Sequence, residues 1–590
     1  MEKNFFSQLN SQQKKAVFYS NGPSIILAGA GSGKTRVLIY KVAYLIDQCK
    51  VHSSSILMIT FTNKAATEMK ERIVRLALNN SNLGFIGTFH SFCASVLRRF
   101  GYLLNYDREF LIYDEEDQLS IIKEILKEFK NEKLSPHYFL EAISYAKNHL
   151  ITPEKYLDFD SSFRRDQIAQ VYKNYQKRLK KNKAMDFDDL LMNVVLLWRK
   201  EKKTLEYYQE KLKYILVDEF QDTNFTQFEL IKLLGKKYQN LTVVGDFSQS
   251  IYSWRGARLE NLQKFEQEFP STKIFYLEQN YRSSQKILDF AYQIISQNTT
   301  HPILHLVAKK KGGEDIFFYE ANDQEDEAIF IAEEIIKLSK IGFLPSQIAV
   351  LYRINAQSRA IEEVFLHYGL PYILIGGTRF YERKEIKDIL AFLRLVVNPE
   401  DEMSLKRVKN LGKKRFLKFQ NSLKDLRNKT KQLTTNEIIE EIFQLTDYLS
   451  LYQINKEEDF ARIENIKELK SVALNFPDLV DFLQQVALVE QEYYEGEKKN
   501  IGKEGVRLMT LHAAKGLEFE VVFIAGVEEG ILPHSRSLED IYQIEEERRL
   551  FYVGITRAKK KLYILYTKNR FLFGRKILSL KSRFLVNDYF

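Results

Sequence analysis

The feature that most constrains this chain is a glycine-rich turn that follows an apolar run and opens a helical segment. Residues 24–40 read SIILAGAGSGKTRVLIY, in which SIILA has the composition of a buried strand and a helix opens at Lys34 and Thr35. Glycines allow backbone N–H groups to curl around phosphate oxygens, and the N-terminus of the following helix adds its positive dipole. This order predicts a phosphate-binding loop. The alternative is a glycine-rich turn formed by chance, which the intact Gly33-Lys34-Thr35 disfavours.

Every position of this loop is a candidate for nucleotide binding. Lys34 is expected on the β- and γ-phosphates and Thr35 on a Mg²⁺ ion. The general pattern begins with glycine, whereas Ala28 stands at that position here. The residues predicted to bind the nucleotide along the loop are Ala28, Gly29, Ala30, Gly31, Ser32, Gly33, Lys34, Thr35 and Arg36.

A nucleotide site of this kind also needs acidic residues at the end of a second strand. Residues 214–224, YILVDEFQDTN, place the adjacent carboxylates of Asp218 and Glu219 after an apolar run. One carboxylate can hold Mg²⁺ while the other orients and activates water, and we assign Asp218 to the metal and Glu219 to the water. Taken alone, an Asp-Glu pair after a strand is equally consistent with a solvated turn, so the assignment depends on the glycine-rich loop.

Short apolar runs recur along the chain between helical segments. Their continuous Val, Ile and Leu composition is typical of buried parallel strands in α/β layers. The runs lie at 24–28, 56–60, 214–218, 241–246, 274–277, 348–352, 507–511, 521–526 and 562–566. The stretches 110–185 and 380–504 are helical and charged, and we expect no strand in them.

These patterns predict an α/β fold with two parallel-sheet domains, each interrupted by a mainly helical insertion. The length of 590 residues fits about four domains, and no Pro/Gly/Ser-rich linker separates them. The predicted boundaries are 1–109 with 186–278 for the first sheet domain, 110–185 for its insertion, 279–378 with 505–590 for the second sheet domain and 379–504 for its insertion.

Composition limits the class of protein. The chain carries 88 Lys and Arg against 78 Asp and Glu, a net charge of +10, which points weakly to a polyanionic partner; a basic surface without a partner is equally consistent. Cys49 and Cys93 are the two cysteines, and their spacing predicts neither a disulfide framework nor a zinc site. The N-terminus lacks a signal-peptide core and the apolar runs are too short to span a bilayer, so we expect a cytoplasmic protein with no membrane partner.

Taken together, the motifs resemble the UvrD/PcrA/Rep family of superfamily 1 DNA helicases, in family order from Leu9 to Phe573. In that family alanine is usual at the first position of the phosphate loop, as at Ala28 here. The resemblance implies that the two sheet domains are RecA-like motor domains. The matching stretches are LNSQQKKAV (9–17), AGAGSGKTR (28–36), TFTNKAATEMKERI (60–73), GTFHSF (87–92), VVGDFSQSIYSWRGA (243–257), LEQNYRS (277–283), MTLHAAKGLEFE (509–520) and EEERRLFYVGITRA (545–558).

The resemblance also implies ATP as the nucleotide and Mg²⁺ as its metal, and it assigns further roles around them. The residues that it adds are Gln13 and Tyr281 at adenine, Glu518 at ribose, Gln249 as a sensor of the γ-phosphate, and Arg282 and Arg557 as arginine fingers. An arginine finger stabilises the charge of the transferring phosphoryl group and raises the rate by about 10³–10⁵. As isolated residues, the two arginines are more typical of surface ion pairs than of arginine fingers, so their assignment comes from the resemblance.

Single strands are bound without sequence readout by aromatic stacking along a basic track. By resemblance, the predicted DNA contacts are Phe61, Asn63, His90, Tyr252, Trp254, Arg255, His512 and Phe573, with Arg383 nearby. Trp254 is the leading stacking candidate because it is one of two tryptophans and is flanked by Tyr252 and Arg255. For Phe61, a position in the core is the favoured alternative.

The activity that the resemblance implies is ATP-driven movement along single-stranded DNA in the 3′-to-5′ direction, coupled to duplex unwinding in repair or replication. The implied partners are single-stranded DNA and 3′-tailed duplex DNA, and self-association or partner proteins of replication and repair stay open. One alternative is a translocase that clears proteins from single strands with little unwinding. Another is a nucleotide-gated DNA-binding scaffold without useful catalysis, which the intact Lys34, Asp218, Glu219 and Arg282 disfavour.

Two features that differ among members of this family bear on duplex binding and on partner proteins. The stretch NLGKKRFLKF (410–419) lacks the Gly-Ile-Gly turn that helps relatives to hold duplex DNA, so we expect a weaker grip on duplex and limited unwinding by a monomer. The sequence ends with KSRFLVNDYF (581–590), so we expect neither a C-terminal partner-docking extension nor a fused nuclease.

Overall fold

The computed structural model describes residues 5–77, 83–129, 135–309, 312–453, 457–500, 504–572 and 575–585. The chain forms two units. Unit 1 comprises Met1–Tyr281 with Thr299–Lys309, and unit 2 comprises Arg282–Asn298 with Lys310–Phe590. Each unit contains a six-stranded sheet in which every pairing is parallel. The predicted α/β class with two parallel sheets is therefore confirmed.

The strands of unit 1 are β1 (Ser24–Ala28), β2 (Ile56–Thr60), β3 (Phe85–Thr88), β4 (Leu111–Tyr113), β5 (Ala184–Asp186), β6 (Tyr214–Val217), β7 (Leu241–Gly245), β8 (Lys273–Leu277), β9 (Gln279–Asn280) and β10 (Val307–Ala308). Six of them form the main sheet in the order β3-β2-β6-β7-β1-β8. In its register, Ser24 of β1 pairs with Thr242 on one side and with Lys273 on the other. The remaining strands form two parallel pairs, β4 with β5 and β9 with β10.

Both faces of the unit 1 sheet are covered by apolar cores. In β1, Ile25 and Leu27 belong to one core, whereas Ile26 and Ala28 belong to the core on the other face. Successive side chains of a strand point to opposite faces, so a strand that is buried on both faces must be apolar at every position. This is why the central strands stand out in the sequence as continuous apolar runs.

The helices of unit 1 are α1 (Ser11–Phe18), α2 (Lys34–Asp47), α3 (Asn63–Ala77), α4 (Phe89–Phe100), α5 (Glu115–Glu128), α6 (Pro136–Asn148), α7 (Tyr156–Phe159), α8 (Arg165–Lys181), α9 (Phe187–Lys200), α10 (Lys202–Lys211), α11 (Phe225–Gly235) and α12 (Asn261–Glu268). Helices α5, α6 and α8 share a core of their own that includes Ile122, Phe139 and Tyr172. The stretch between β3 and β6 along the chain is thus mainly helical.

The prediction of no strand in residues 110–185 is wrong at both ends of that stretch. Leu111 pairs with Ala184 and Tyr113 with Asp186, so that β4 and β5 form a short parallel ribbon. The segments LIY and AMD are too short to show any periodicity, and Leu111 is exposed. Their pairing depends on contacts between residues far apart in the chain, which local patterns do not record.

The strands of unit 2 are β11 (Phe317–Ala321), β12 (Ile348–Tyr352), β13 (Tyr372–Ile375), β14 (Val506–Thr510), β15 (Phe519–Ile524), β16 (Ala558–Thr567), β17 (Asn569–Leu572) and β18 (Arg575–Leu578). The main sheet has the order β11-β16-β15-β12-β14-β13, and β17 pairs antiparallel with β18. The sequence patterns missed β3, β11 and β13, which are all edge strands. All three strands are only partly buried. Gly87 interrupts the apolar run of β3 and Glu320 that of β11, whereas the short apolar run of β13 (YILI) was overlooked.

The helices of unit 2 are α13 (Gln285–Ile295), α14 (Gln324–Lys340), α15 (Ser358–His367), α16 (Lys384–Val397), α17 (Glu402–Asn410), α18 (Lys413–Lys429), α19 (Thr435–Thr446), α20 (Glu457–Asn475), α21 (Leu479–Asn500) and α22 (Ile541–Ile555). Helices α16 to α21 share one core, to which Phe392, Ile442 and Phe482 contribute. Helices α17 and α18 are joined by Leu411 and Gly412, and Gly412 has a φ of 118°. A side chain at that φ would be strained, so glycine permits this tight turn.

Among the described residues, no single helix is both long and apolar enough to cross a membrane. The segments Glu458–Asn475 and Leu479–Val489 meet such a test only as a pair, with a bend of 117° between them. Both segments contribute buried side chains, such as Leu469 and Val486, to the core of α16–α21.

Lys147, near the end of α6, is fully buried beside two carboxylates. Its Nζ lies 2.6 Å from Asp186 Oδ2 and 2.9 Å from Asp189 Oδ1. Burial alone lowers the pKa of Lys147, but Asp186 and Asp189 raise it by more, so the ammonium stays charged. Asp186 also caps α9, because its side chain accepts a hydrogen bond from the backbone N–H of Asp189. This cluster fastens α6 to the start of α9.

Replacing Lys147 with methionine leaves Asp186 and Asp189 buried without their cation. Removal of one partner from a buried ion pair costs about 3–5 kcal/mol, so we expect K147M to unfold at a lower temperature in differential scanning calorimetry. The matched control is Lys127→Met on the exposed side of α5, which should shift the transition little. Equal transition temperatures for the two variants would contradict the stabilising role of the cluster.

Candidate nucleotide and nucleic-acid sites

The glycine-rich loop connects the end of β1 to the start of α2, as its sequence predicts. Gly31 and Gly33 have φ values of 65° and 90°, which favour glycine. Gly33 also stands close to another element, since a Cβ there would lie 3.0 Å from Gln13 Nε2. Ser32 closes the turn, because its hydroxyl donates to the carbonyl of Gly29 at 2.8 Å.

Residues just after β8 hold the same loop from the other side. The Asn280 side chain donates to the carbonyl of Ala30 at 2.6 Å, and the backbone N–H of Tyr281 donates to the carbonyl of Gly31 at 3.0 Å. These bonds use two loop carbonyls, while the N–H groups of Gly29 and Ser32 donate to the carbonyls of Leu277 and Gly29 at 3.4 and 3.2 Å. The loop is therefore held by backbone bonds at several points, and the other backbone N–H groups of such a loop are the ones that bind phosphate.

Helix α1 is attached to the loop and to Tyr281. Gln13 is buried, and its Nε2 donates to the carbonyl of Ser32 at 3.0 Å. Asn10, which caps α1, donates from Nδ2 to the hydroxyl of Tyr281 at 2.8 Å. Arg36 donates to the side-chain oxygen of Gln8 at 3.1 Å. The structure thus brings Gln13 to the loop and ties Tyr281 to the cap of the same helix.

Asp218 follows β6 and faces the start of α2. Thr35 Oγ1 lies 3.5 Å from Asp218 Oδ2, whereas Asp218 Oδ1 is buried without a hydrogen-bond partner among the described residues. Burial, together with the adjacent charge of Glu219, raises the pKa of Asp218 to about 7. A buried carboxylate oxygen without a partner beside a threonine hydroxyl fits Mg²⁺, which commonly binds one or two carboxylates and takes its other ligands from water and phosphate.

A hydrogen-bonded network joins Glu219 to the end of β7. Glu219 has a φ of 50°, a strained conformation for a residue with a side chain. Gln221 Nε2 donates to Glu219 Oε2 at 2.6 Å, and Gln221 Oε1 accepts from the backbone N–H of Asp246 at 3.0 Å. The backbone of this turn therefore sets the direction of the Glu219 side chain, and the hydrogen bond from Gln221 holds its carboxylate in place.

Asp246 lies between Lys34 and Gln249. Its Oδ2 accepts a hydrogen bond from Gln249 Nε2 and lies 4.0 Å from Lys34 Nζ. Burial raises the pKa of Asp246, and the charge of Lys34 opposes this rise. The structure thus places Lys34, Thr35, Asp218, Glu219 and Gln249 at one edge of the unit 1 sheet.

In unit 2, three residues with predicted nucleotide roles lie together. Arg282 Nε donates to Glu518 Oε2 at 2.7 Å, and its Nη1 donates to the carbonyl of Thr556 at 3.2 Å. Arg557 is buried, and its guanidinium donates to the carbonyls of Val553 at 2.9 Å and Leu517 at 3.1 Å. Thr556 therefore bonds to both arginines, since Arg557 Nη2 also donates to the Thr556 hydroxyl at 3.1 Å.

Trp254 is exposed beside Tyr252 and Arg255. It is 52% exposed, whereas Trp198 is 1% exposed in the core, so Trp254 alone of the two tryptophans offers a ring face to solvent. The guanidinium of Arg255 lies 4.4 Å from the Trp254 ring centroid, and the Tyr252 ring lies 6.3 Å away. An exposed ring with a cation over it is a stacking platform for an unpaired base.

The remaining predicted contacts of unit 1 differ in exposure. The His90 ring contacts the exposed Phe187 edge-on at 5.5 Å, and burial lowers the pKa of His90. Phe61 is half-buried and packs against Phe89 of the core at 5.9 Å, which agrees with the core alternative. Asn63 is exposed at the first position of α3.

The predicted DNA contacts of unit 2 have three different outcomes. His512 is half-buried in the turn after β14, and Phe573 lies outside the described residues. The prediction for Arg383 is wrong, because its side chain is buried and donates to Asn465 Oδ1 at 2.7 Å and Ser358 Oγ at 2.9 Å. The cation of Arg383 is used inside the unit, so it is not offered to a phosphate.

Comparison with known proteins decides the family. Residues 9–270 match the UvrD/REP helicase N-terminal domain, and residues 275–417 and 412–569 match the UvrD-like helicase C-terminal domain. The chain belongs to the UvrD/REP helicase family. It is 41% identical over 629 residues to the ATP-dependent DNA helicase PcrA of Staphylococcus epidermidis, covering 98% of this chain and 86% of that protein. It is 43% identical over 630 residues to PcrA of Bacillus subtilis, covering 98% of this chain and 85% of that protein.

The sequence-based prediction did not include four further candidate residues of this UvrD/REP family chain. They are Asn10, Gln221 and Asp246, which hold site residues, and Phe187, which is 48% exposed against His90. Gln221 and Asp246 lie within quoted motifs and bond to Glu219 and Gln249 of those motifs, but the bond between Gln221 and Asp246 joins the ends of two different strands. Phe187 had one local signal: a phenylalanine between Asp186 and Asp188 at the start of a helix is unusual for a core position.

Gln221→Ala removes the donor that holds Glu219 and leaves the loop intact. Because Gln221 orients a carboxylate instead of binding phosphate, we expect kcat for ATP hydrolysis to fall about 10- to 100-fold with little change in KM, as for other residues that orient a catalytic group. Steady-state kinetics with saturating single-stranded DNA measures both constants. Gln263→Ala, an exposed position on α12, is the control and should keep both. A rise in KM at constant kcat would place Gln221 in nucleotide binding instead.

Proposed function

We propose that this protein is an ATP-dependent DNA helicase that moves 3′-to-5′ along single-stranded DNA and unwinds duplex DNA in repair or replication. The observation that carries the proposal is the single edge of the unit 1 sheet at which the phosphate loop, Asp218 and Glu219 meet. The names of the PcrA relatives and the match of both helicase domains support the substrate and the activity.

In the proposed reaction, the loop N–H groups and Lys34 hold the phosphates of ATP. Glu219 orients the attacking water and accepts its proton, while Gln221 keeps the carboxylate in place. Thr35 and Asp218 are the residues that would hold Mg²⁺, which neutralises charge on the β- and γ-phosphates when bound. Gln249, bonded to Asp246, is proposed to respond to the γ-phosphate.

Five further residues are proposed to bind ATP or to assist its hydrolysis. Arg282 and Arg557 stabilise the negative charge that develops on the transferring phosphoryl group. Glu518, which pairs with Arg282 in this structure, is proposed to bind ribose, and Tyr281 and Gln13 are proposed to bind adenine.

The proposed single-strand contacts are stacking platforms with cations near them. Trp254 carries the largest exposed ring among the predicted contacts, and Phe187 beside His90 is added to the set. Each stacked base contributes about 1–3 kcal/mol, while loss of one DNA stacking step costs about 1.4 kcal/mol. Because these energies are similar, bases can move between platforms without a deep trap.

The proposed organisation keeps four parts. Residues 1–109 with 186–278 and 279–378 with 505–590 are proposed as the motor domains, and 110–185 and 379–504 as their insertions. We place the protein in the bacterial cytoplasm with the DNA on which it acts.

Lys409, Lys413 and Lys414 are exposed around the turn between α17 and α18. This basic turn supports contact with duplex phosphates in spite of the missing Gly-Ile-Gly sequence.

Lys34→Ala and Glu219→Gln should each abolish DNA-stimulated ATP hydrolysis while binding of single-stranded DNA survives. Lys34→Ala removes charge from the phosphates, and Glu219→Gln removes the proton acceptor without changing shape. A coupled phosphate-release assay measures hydrolysis, and fluorescence anisotropy measures binding. Glu206→Gln, at an exposed position on α10, should hydrolyse ATP normally. Near-normal turnover by E219Q would contradict the assignment of this site.

Trp254→Ala should weaken the coupling of ATP hydrolysis to movement. Loss of a stacking platform lets the strand slip, so we expect more ATP consumed per nucleotide travelled. Stopped-flow run-off from end-labelled oligonucleotides gives the rate of movement, and phosphate release gives the rate of hydrolysis. Tyr102→Ala, an exposed aromatic position of unit 1, is the control. An unchanged translocation rate in W254A would contradict the role.

Direction and unwinding can be tested with one set of substrates. We expect displacement of streptavidin from the 5′ end of a strand, which a 3′-to-5′ motor approaches, and unwinding of 3′-tailed but not 5′-tailed duplex. Unwinding that rises linearly with protein concentration indicates an active monomer, and a steep rise indicates self-association. Streptavidin displacement with no unwinding at any concentration would favour the translocase that clears proteins.

A further inference from the structure

Four aromatic rings of unit 1 with no role in the proposed site lie against one another. We call Tyr145, His149, Phe159 and Phe225 the aromatic patch. The Tyr145 ring centroid lies 4.2 Å from that of His149 and 5.9 Å from that of Phe159. The His149 ring lies 5.6 Å from Phe159 and is stacked on Phe225 at 6.3 Å with an interplanar angle of 18°.

The aromatic patch is open to solvent on the side of the helical insertion. Tyr145 is 58% exposed and Phe159 is 37% exposed, although both are large enough to belong in a core. Tyr145 comes from α6, His149 caps the same helix, and Phe159 ends α7. Phe225 begins α11, directly after the DEFQDTN segment. Exposed rings from the insertion and from the sheet domain therefore meet in one place.

Two cations flank these rings. The guanidinium carbon of Arg258 lies 6.0 Å from the Phe225 centroid, and Lys264 Nζ lies 5.4 Å from it. Arginine only donates hydrogen bonds, so its bond from Nη2 to His149 Nε2 requires an unprotonated nitrogen there. The other ring nitrogen, Nδ1, then donates to the carbonyl of Tyr145 at 2.7 Å. Burial, with Arg258 and Lys264, holds the pKa of His149 below its usual value.

The patch thus combines neutral ring faces with positive charge beside them. This combination can bind unpaired nucleic acid, because bases can stack on the rings while phosphates pair with the cations. Duplex DNA suits it less, because its base faces are already stacked on one another. An apolar protein surface suits it less too, because it would leave Arg258 and Lys264 without a negative partner.

The patch also continues the chain segment that carries Trp254. Residues 252–258 include Tyr252, Trp254, Arg255 and Arg258. The backbone N–H of Ala257 donates to the carbonyl of Tyr252 at 3.1 Å, so the segment is a compact turn with a fixed shape. Cations and rings therefore follow one another from Trp254 through Arg258 to the aromatic patch.

We propose that the aromatic patch is an additional platform for single-stranded DNA, which extends the strand path from Trp254 onto the first helical insertion. The proposal rests on the single-strand binding proposed above, and it gives the insertion of residues 110–185 a direct part in holding the strand. A strand must be long enough to reach from Trp254 to Tyr145 and Phe159 before the patch contributes.

The test measures binding as a function of strand length in the variant Tyr145→Ala/Phe159→Ala. Fluorescence anisotropy with oligo(dT) of about 6 and about 20 nucleotides brackets the usual size of such sites. We expect the variant to bind the long strand about 5- to 100-fold more weakly than the unchanged protein, from the loss of one stacked base or more. The short strand, which fills the Trp254 region alone, should bind equally to both.

Matched variants separate the patch from general effects. Tyr102→Ala/Phe163→Ala removes the same ring types from exposed positions of unit 1 outside the patch and should bind both strands normally. Tyr145→Phe/Phe159→Tyr keeps the rings and should retain affinity, so it also covers the case in which the alanine variant folds poorly. Lys264→Gln should lower the salt dependence of long-strand binding by about 0.7 in the log–log slope, for one lost phosphate contact.

Equal binding of the long strand by the alanine variant and the unchanged protein would overturn the proposal. An equal loss of affinity for both strand lengths would also overturn it, because the rings would then contribute to the Trp254 site or to the stability of the fold. Weaker binding of duplex but not of single strands would assign the patch to a different ligand. Failure of the proposed function itself looks different, because the unchanged protein would then show neither single-strand binding nor DNA-stimulated ATP hydrolysis.

Discussion

Parallel pairing of β6, β7 and β1 is the constraint on which the nucleotide site depends. Neighbouring parallel strands end at the same edge of a sheet, so the carboxylates after β6, Asp246 after β7 and the loop after β1 meet although they are far apart in the chain. Asp218 and Asp246 are buried at this edge, so their carboxylates lie in a medium of low dielectric. Burial there raises the pKa of Asp218 and of Asp246, and it strengthens the attraction of each carboxylate for a cation.

Hydrogen bonds extend from this edge into the first helical insertion. The Asn224 side chain, five positions after Glu219 in the motif, donates to Asn148 Oδ1 at 2.6 Å. Asn148 in turn donates to Asp188 Oδ1 at 3.2 Å, next to the exposed Phe187. The insertion is therefore tied to the segment that follows the carboxylates and to the helix that carries a candidate DNA contact. The buried Lys147, next to Asn148 in the chain, pairs with Asp186 and Asp189 at the same junction.

Local sequence patterns were sufficient to predict an element wherever the pattern lies within a single strand or a single loop. The buried strands at 24–28, 56–60 and 348–352 have the bounds that their apolar runs predict. The patterns failed where burial is partial, as in the edge strand β11, or where pairing is remote, as between β4 and β5. They also failed for Arg383, because the exposure of a long cationic side chain depends on what the rest of the fold packs around it.

What the sequence determined by itself is the chemistry: a phosphate loop, two carboxylates after a strand, the α/β class and the helicase family. These follow from residue types at short spacings, which a chain specifies locally. Only the tertiary structure decided which polar groups share hydrogen bonds, as Gln221 does between Glu219 and Asp246, and which rings stay in solvent, as Tyr145 and Phe159 do. Partners and exposure depend on contacts among elements distant along the chain, so no short stretch of sequence contains them.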